Sequence, residues 1–176
     1  MIDTERLFLF PLKYKHLELY LLNDGSLEKE LKCQIIEREF DEDYRELLEY
    51  DKLPELNRKG KINFFKTIWL AKNKNTNTLV ADIFFRNIPN EIGSVEIGYS
   101  TFPQFRNQGI MKEMVNGFVN WAFKNPMVKI IRVETLKTNI ASEKVLVSNG
   151  FKILKENSII NFWIKEKIKN SSTFAS

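Results

Sequence analysis

The stretch from residue 95 to residue 122 constrains the fold of this 176-residue chain more than any other segment. A β-type run at residues 95–102 is followed by Pro103 and by a loop whose one glycine, Gly109, directly precedes a helical pattern. Apolar residues recur in that pattern with helical spacing and form one continuous face. The sequence therefore predicts a strand that leads through a tight loop into a buried amphipathic helix. Its apolar face comprises Ile110, Met111, Met114, Val115, Phe118, Val119 and Ala122.

The loop at residues 106–111 has the features of an anion site. Backbone N–H groups at a helix start lack intrahelical partners and lie at the positive end of the helix dipole. Gly109 lets the backbone approach a pyrophosphate closely. The chain contains neither G-x-x-x-x-G-K-[ST] nor G-x-G-x-x-G, so a nucleoside-triphosphate loop and a dinucleotide loop are not expected.

The charge distribution agrees with an anionic ligand in the C-terminal half. Residues 1–99 carry 15 Lys and Arg against 18 Asp and Glu, whereas residues 100–176 carry 12 against 5. Such an asymmetry attracts anions to the basic half. No stacking motif of aromatic and basic residues accompanies the charges, so we expect no nucleic-acid partner.

Composition predicts one globular domain over residues 1–176, with residues 165–176 as a flexible tail. A single Cys33 excludes an internal disulfide, the start has no secretory signal, and no apolar run reaches about 20 residues. We therefore expect a cytoplasmic protein without a membrane partner. One Cys and one His cannot supply a zinc site, so no metal is expected. Cys33 and His16 are better explained as a small packing residue and a surface-helix residue than as a nucleophile–base pair.

Periodicity predicts antiparallel strands followed by strand–helix–strand–helix–strand, which is a mixed α+β sheet. Ser26 is the expected N-cap of the second of two early helices, and Gly150 the expected end of the last helix. The acidic residues 37–51 are expected to form a solvated helix face. The predicted strands are residues 7–12, 67–72, 79–86, 95–102, 129–136, 151–154 and 159–164, and the predicted helices are residues 13–49 with a break at 23–26, 110–122 and 139–149.

Two motifs resemble the GNAT superfamily of N-acetyltransferases. The first is the family's cofactor loop, [QR]-x-x-G-x-[GA], which residues 106–111 match at Arg106 and Gly109 but not at Met111. The second is N-x-x-[AS]-x-x-[LV]-x-x-x-x-G-F. This chain has Asn139, Ser142, Val145, Gly150 and Phe151 in register with it.

Two further segments resemble the branch of ribosomal-protein N-terminal acetyltransferases: Thr4-Glu5-Arg6-Leu7 and Glu96-Ile97-Gly98-Tyr99. The resemblance implies a GNAT fold, α+β, with a mixed and mostly antiparallel sheet of six to seven strands, about four helices and a splayed V between the two central strands. It also implies acetyl-CoA as cosubstrate. The implied cofactor-binding residues are Thr101, Phe102, Arg106, Asn107, Gln108, Gly109, Ile110, Met111, Asn139 and Lys144, the last being equally interpretable as a surface lysine.

The resemblance implies that an amine attacks the thioester directly, without an acyl-enzyme. Many relatives protonate the leaving thiolate with a Tyr at the position of Leu146. In the ribosomal-protein branch, a Ser at the position of Ser142 is the proposed substitute. We therefore assign this role to Ser142, which is equally interpretable as a polar residue of a first helical turn. The candidate bases are Glu156 in the closing hairpin and Glu96 on the splayed strand.

The acceptor is expected to be a primary amine, and the resemblance favours the N-terminal amine of a protein or peptide. An α-amine with a pKa of about 8 is about a tenth neutral at pH 7, whereas Lys at about 10.4 is below a thousandth, so an α-amine needs less help from a base. Two alternatives remain open. One is a small-molecule acetyltransferase acting on a polyamine, amino sugar or drug amine, which the acidic residues 37–51 would attract; the other is a non-catalytic acyl-CoA-binding module, because Met111 and Leu146 depart from the family. Both a monomer and a homodimer fit the sequence.

Overall fold

Eight strands form one mixed sheet in the order β1-β2-β3-β4-β5-β6-β8-β7. The computed structural model describes residues 1–39, 42–56 and 62–168. Neighbouring strands are antiparallel except β5 and β6, which are parallel. The strands are β1 (Ile2–Asp3), β2 (Leu7–Pro11), β3 (Ile68–Asn73), β4 (Thr78–Phe85), β5 (Ser94–Thr101), β6 (Ile130–Leu136), β7 (Lys152–Glu156) and β8 (Ile160–Glu166).

Helices pack on both faces of the sheet and enclose two apolar clusters. One cluster lies under α5 and joins both halves of the sheet, and the other lies under α1 and α2 on the opposite face. The helices are α1 (Tyr14–Leu22), α2 (Ser26–Glu30), α3 (Glu42–Glu46), α4 (Leu53–Glu55), α5 (Ile110–Ala122) and α6 (Ile140–Ser148), with a π-helical segment (Leu47–Lys52) and a 3₁₀ turn (Pro103–Phe105). None of the helices in the described ranges is long and apolar enough to cross a membrane.

The apolar face predicted for the helix at residues 110–122 is confirmed. All seven of its apolar residues are buried in α5, against the inner strands of the sheet. Strand β4 is buried along its whole length because both of its faces are covered. These two elements fix the position of the loop that connects β5 to α5.

Strands β5 and β6 separate after a short paired stretch. They are in register only from Ser94 to Glu96, opposite Ile130 to Arg132, although both strands continue beyond these residues. The splayed V between the central strands is therefore confirmed, and the GNAT fold is confirmed with it. The sheet has eight strands rather than six to seven, because β1 pairs with β2 as a short edge strand.

The N-terminal helices differ from the prediction. Gly25, with φ 81°, is the N-cap of α2 instead of Ser26, whose N–H donates to the Asp24 carboxylate at 2.9 Å. The helix ends at Glu30 because Lys32 adopts a left-handed conformation, and Gln34 then pairs with Thr78 in an isolated bridge. The helix predicted through residue 49 is therefore interrupted over residues 31–39, and residues 40–41 lie outside the described residues.

The first residues of the predicted tail, 165 and 166, belong to a strand. Lys165 and Glu166 are the last residues of β8, and the Lys165 ammonium donates to the Asn149 carbonyl at 2.6 Å. The strand extends this far because its register with β6 continues to Ile130. Residues 169–176 lie outside the described part of the chain.

Candidate functional site

The loop between β5 and α5 presents the start of a helix to the split in the sheet. Gly109 is the N-cap of α5 with φ 73°, and Asn107 is also left-handed with φ 61°. The N–H of Glu113 makes the first bond of the helix, to the Gly109 carbonyl. The N–H groups of Ile110, Met111 and Lys112 therefore precede the first intrahelical bond and point toward the opening.

Thr4 and Arg6 hold this loop in place through Glu113. One Glu113 carboxylate oxygen accepts from the Thr4 hydroxyl at 2.6 Å and from the Arg6 N–H at 2.7 Å, and the other accepts from Arg6 Nε at 2.7 Å. Arg6 Nη1 also donates to the Gln108 carbonyl at 2.9 Å. Burial opposes ionisation of Glu113, but these hydrogen bonds outweigh it and lower the pKa of the carboxyl. The opening motif at residues 4–7 therefore anchors the loop from the far end of the chain.

Asn139 and Tyr99 fix the position of Ser142 at the start of α6. The Asn139 side chain caps the helix by accepting from the Ser142 N–H at 3.0 Å. The Ser142 hydroxyl lies 2.6 Å from the Tyr99 hydroxyl. Burial raises the pKa of Tyr99 to about 12, so this phenol stays protonated at neutral pH. Leu146, the family's usual tyrosine position, is fully buried in the core. A tyrosine hydroxyl lies next to Ser142 on β5 instead.

A cavity of about 710 Å³, the loop cavity, lies between the loop, β5 and α6. Eight of the ten predicted cofactor residues line it, together with Ser142 and Tyr99. The Met111 side chain is only 7% exposed and packs in the core, which explains how a large residue stands at a position that is small in the family. The eight are Thr101, Arg106, Asn107, Gly109, Ile110, Met111, Asn139 and Lys144.

Gln108 and Phe102, the other two predicted cofactor residues, do not line the loop cavity. The Gln108 amide donates to the Gln104 carbonyl at 3.2 Å. Phe102 lines the neighbouring cavity, and its N–H donates to the Val80 carbonyl at 3.1 Å. The backbone of Thr101 is also engaged, because its carbonyl accepts from Arg106 Nε at 3.3 Å. The Thr101 carbonyl and the Phe102 N–H, both on residues assigned to cofactor binding, are therefore already engaged within the protein.

A second cavity of about 520 Å³, the carboxylate cavity, adjoins the loop cavity. Three carboxylates line it: Glu39, Asp43 and the buried Asp82. The two cavities share Tyr99, Ser100 and Arg106 as lining residues. They meet at β5 beyond Glu96, where the strand is no longer paired with β6.

The acidic residues 37–51 are only partly solvated. Glu39 and Asp43 line the cavity, while Leu48 is fully buried.

Asp82 and Tyr99 were not identified from the sequence as site residues. A lone carboxylate within the apolar run at residues 79–85 was the signal for Asp82, because an unpaired buried Asp is rare.

Glu96 and Glu156, the two candidate bases, lie outside the lining of both cavities. Glu96 forms an ion pair with Arg86 at 3.2 Å, and burial, followed by repulsion from Glu134, raises the pKa of its carboxyl. Glu156 is exposed on β7 and forms an ion pair with Lys137 at 2.8 Å. Among the residues that the structure describes, no three His, Cys, Asp or Glu side chains are grouped to hold a metal ion.

The chain matches known acetyltransferases in sequence and in fold. Residues 6–152 match the family of acetyltransferase (GNAT) domains. The uncharacterised N-acetyltransferase YjdG of Bacillus subtilis (strain 168) is 25% identical over 164 residues, which are 93% of this chain and 96% of that protein. The chain therefore belongs to the GNAT acetyltransferase family and is an acyltransferase.

Solved structures share the fold at low sequence identity. RimL, a ribosomal L7/L12 α-N-protein acetyltransferase in complex with coenzyme A, has a TM-score of 0.65 at 15% identity, over 94% of this chain and 97% of that chain. AAC(6')-Ib in complex with paromomycin and acetyl-CoA has a TM-score of 0.62 at 10% identity, over 93% of this chain and 94% of that chain. One structure described as a protein acetyltransferase and one that holds an aminoglycoside thus share this architecture.

Proposed function

We propose that the protein transfers the acetyl group of acetyl-CoA to a primary amine, with acetyl-CoA in the loop cavity and the amine in the carboxylate cavity. The observation that carries the proposal is the contact between the two cavities at Tyr99, Ser100 and Arg106. A donor and an acceptor bound on either side would bring their reacting atoms together there.

The loop cavity fits the anionic end of acetyl-CoA. Free N–H groups at the start of α5 would hold the pyrophosphate. Three cationic side chains, Arg106, Lys112 and Lys144, line the same cavity and complement the phosphate charge. The Asn139 amide nitrogen remains available to the pantetheine arm, because the hydrogen bond that caps α6 uses only its oxygen.

The paired hydroxyls of Tyr99 and Ser142 would protonate the leaving sulfur. They lie 2.6 Å apart on the wall of the loop cavity, next to the boundary with the carboxylate cavity. The role assigned to Ser142 from the sequence thus becomes a shared one, in which the high pKa of Tyr99 keeps a proton available.

For the acceptor we propose the N-terminal amine of a protein or peptide. Supporting this are the motifs at residues 4–7 and 96–99, the residue Leu146 in place of the usual tyrosine, and fold neighbours described as ribosomal-protein acetyltransferases. An α-amine also has the lower pKa of the two common protein amines, so more of it is neutral at pH 7.

A small polycationic amine is the second candidate, and the carboxylate cavity favours it. Glu39, Asp43 and Asp82 outnumber the two arginines there, Arg86 and Arg106, and Arg86 is already paired with Glu96. Such a surface attracts a substrate that carries several ammonium groups. The aminoglycoside-bound neighbour has the same fold.

Release of free thiol from acetyl-CoA in the presence of a panel of amines tests both levels of the proposal. Turnover with any primary amine supports the transferase, and no turnover with any amine would refute it. On the α-amine proposal, peptides with a free small N-terminal residue exceed spermidine and N-blocked Lys peptides in kcat/KM. If spermidine or an amino sugar exceeds the peptides about tenfold, the small-amine candidate replaces the peptide one.

A further inference from the structure

Asp82 is a carboxylate that the structure buries at the wall of the carboxylate cavity. It lies in the middle of β4, is 1% exposed and lines the cavity. Oδ2 accepts from the Tyr20 hydroxyl at 2.9 Å, and the Tyr44 hydroxyl and the Ser100 N–H also hydrogen-bond to the carboxylate. Burial of a carboxylate is costly, and a buried carboxylate in the wall of a cavity is therefore a candidate functional group.

No directly bonded cation balances Asp82 in the part of the chain that the structure describes. The charge of Arg38 lowers the pKa of Asp82, but Arg38 forms a buried ion pair with Glu28 and stacks on the Tyr20 ring. Burial raises the pKa of Asp82 to about 7, and the hydroxyls of Tyr44 and Tyr20 lower it only partly. The other charged groups of this cavity are Glu39, Asp43, Arg86 and Arg106.

Asp82 lies on β4, next to the part of β5 at which the two cavities meet. Its Cα partner on β5 is Ser100, which lines both cavities, and the next residue is Tyr99. Paired residues of neighbouring strands place their side chains on the same face, about 5 Å apart. Tyr99 projects to the other face of the sheet but lines both cavities, so the carboxylate cavity is bordered by Asp82 and by Tyr99.

We propose that Asp82 is the catalytic base, whose carboxylate takes a proton from the acceptor's ammonium group and leaves the neutral amine that attacks the thioester. This inference rests on the proposed function of the two cavities. Glu96 and Glu156 keep their ion pairs with Arg86 and Lys137. Among the described residues, Asp82 is the one carboxylate that is buried and lines the carboxylate cavity.

The acceptor ammonium loses two protons in the reaction. One N–H bond breaks as an O–H bond forms on Asp82, and the electron pair stays on nitrogen. That pair forms the C–N bond to the thioester carbonyl carbon, and the C–S bond breaks with its electron pair going to sulfur. The second proton passes from nitrogen to sulfur through the hydroxyls of Tyr99 and Ser142, and Asp82 then returns its proton to water.

Asp82→Asn tests the proposal with two independent measurements. The amide keeps the size of the side chain and an acceptor for Tyr20, but it cannot take a proton. We expect kcat/KM at pH 7 to fall by about 10²- to 10⁴-fold, the usual range for a lost base. The Kd for CoA, measured by calorimetry, stays within about twofold and shows that the variant is folded.

The pH profile separates a base from a structural residue. We expect wild-type kcat/KM to rise through a pKa near 7 with a peptide and also with spermidine, although the amines of these two acceptors differ in pKa. The inflection is the same because the group that ionises belongs to the enzyme. Tyr20→Phe removes a hydrogen bond that lowers the pKa of Asp82, so the inflection moves to higher pH. Both measurements decide the question even if Asp82→Asn does not fold.

Three results would overturn the inference: Asp82→Asn retaining wild-type kcat/KM, an inflection that moves with the acceptor instead of the enzyme, or loss of the inflection in Glu96→Gln but not in Asp82→Asn. Each of them leaves wild-type turnover, and so the transferase, intact. Absence of turnover in wild type with every amine would instead remove the proposed function itself.

Discussion

Replacing Glu113 by Ala removes the link between the N-terminal segment and the loop at residues 106–111. The change deletes three hydrogen bonds of 2.6 to 2.7 Å, from the Thr4 hydroxyl, the Arg6 N–H and Arg6 Nε. The Glu113 side chain is 16% exposed and that of Arg6 38%, so the ion pair itself contributes about 1 kcal/mol or less. The unsatisfied Arg6 N–H and the lost Thr4 bond add about 1 kcal/mol each. We expect the free energy of unfolding to fall by about 2–3 kcal/mol.

The same substitution should weaken CoA binding, because Arg6 Nη1 holds the Gln108 carbonyl only while Glu113 orients the guanidinium. We expect a Kd about tenfold higher, measured by calorimetry, beside urea unfolding followed by circular dichroism. Glu30→Ala, which breaks the exposed ion pair with Lys15, is the matched control and should change neither quantity measurably.

The effect also has a predictable pH dependence. The pKa of Glu113 is lowered in the folded state, so its stabilisation is complete above its unfolded pKa of about 4.5 and is lost as the pH falls through the folded value. The difference between wild type and Glu113→Gln should therefore shrink in acid. An unfolding free energy within about 0.5 kcal/mol of wild type for Glu113→Ala, well below the sum of the lost bonds, would refute the bracing role.

Three further predictions concern the site. Gly109→Asp places a carboxylate at the proposed pyrophosphate position and should abolish CoA binding in calorimetry. Gly150→Asp is the control for backbone strain, because Gly150 has a φ of 74°, against 73° for Gly109, and lies outside the loop cavity. Ser142→Ala and Tyr99→Phe should each lower kcat by about 10- to 1,000-fold with little change in the Kd for CoA. An unchanged kcat in both variants would show that the two hydroxyls have only a structural role. The pKa of Asp82 is raised to about 7 from 3.8, so the folded protein loses stability as the pH rises between these values. Asp82→Asn should therefore reduce the fall in Tm between about pH 4 and pH 7. An equal fall in both proteins would contradict the raised pKa.

Local patterns were sufficient to predict most of the fold. The helix at residues 110–122 was predictable because its apolar spacing matches burial on one face, and the tight loop before it because Gly109 stands at the start of that helix. The short α2 was harder, since Lys32 ends it in a left-handed conformation that no sequence rule requires of lysine.

Of the proposed site, the sequence indicated only the proposed cofactor side. Residues 106–111 and 139–144 would act through their own backbone and nearest neighbours, so a linear motif describes them. The Tyr99–Ser142 contact spans 43 residues of sequence and the Tyr20–Asp82 contact 62, and both depend on how the sheet brings separate elements together. Contacts of that kind carry no signal in the spacing of residues along the chain.

The short join between β5 and β6 makes the width of the split sensitive to small rotations. Only three residue pairs connect the strands, and five residues of β5, Ile97–Thr101, continue beyond them without β6. At about 3.3 Å per residue this arm is about 16 Å long, so a rotation of about 5° at the join displaces its end by about 1.4 Å. Val95 and Ile131, which are paired across the join, are fully buried in the core. A substitution that changes the side-chain volume at either residue would therefore alter the distance between the two cavities, although neither residue lines them.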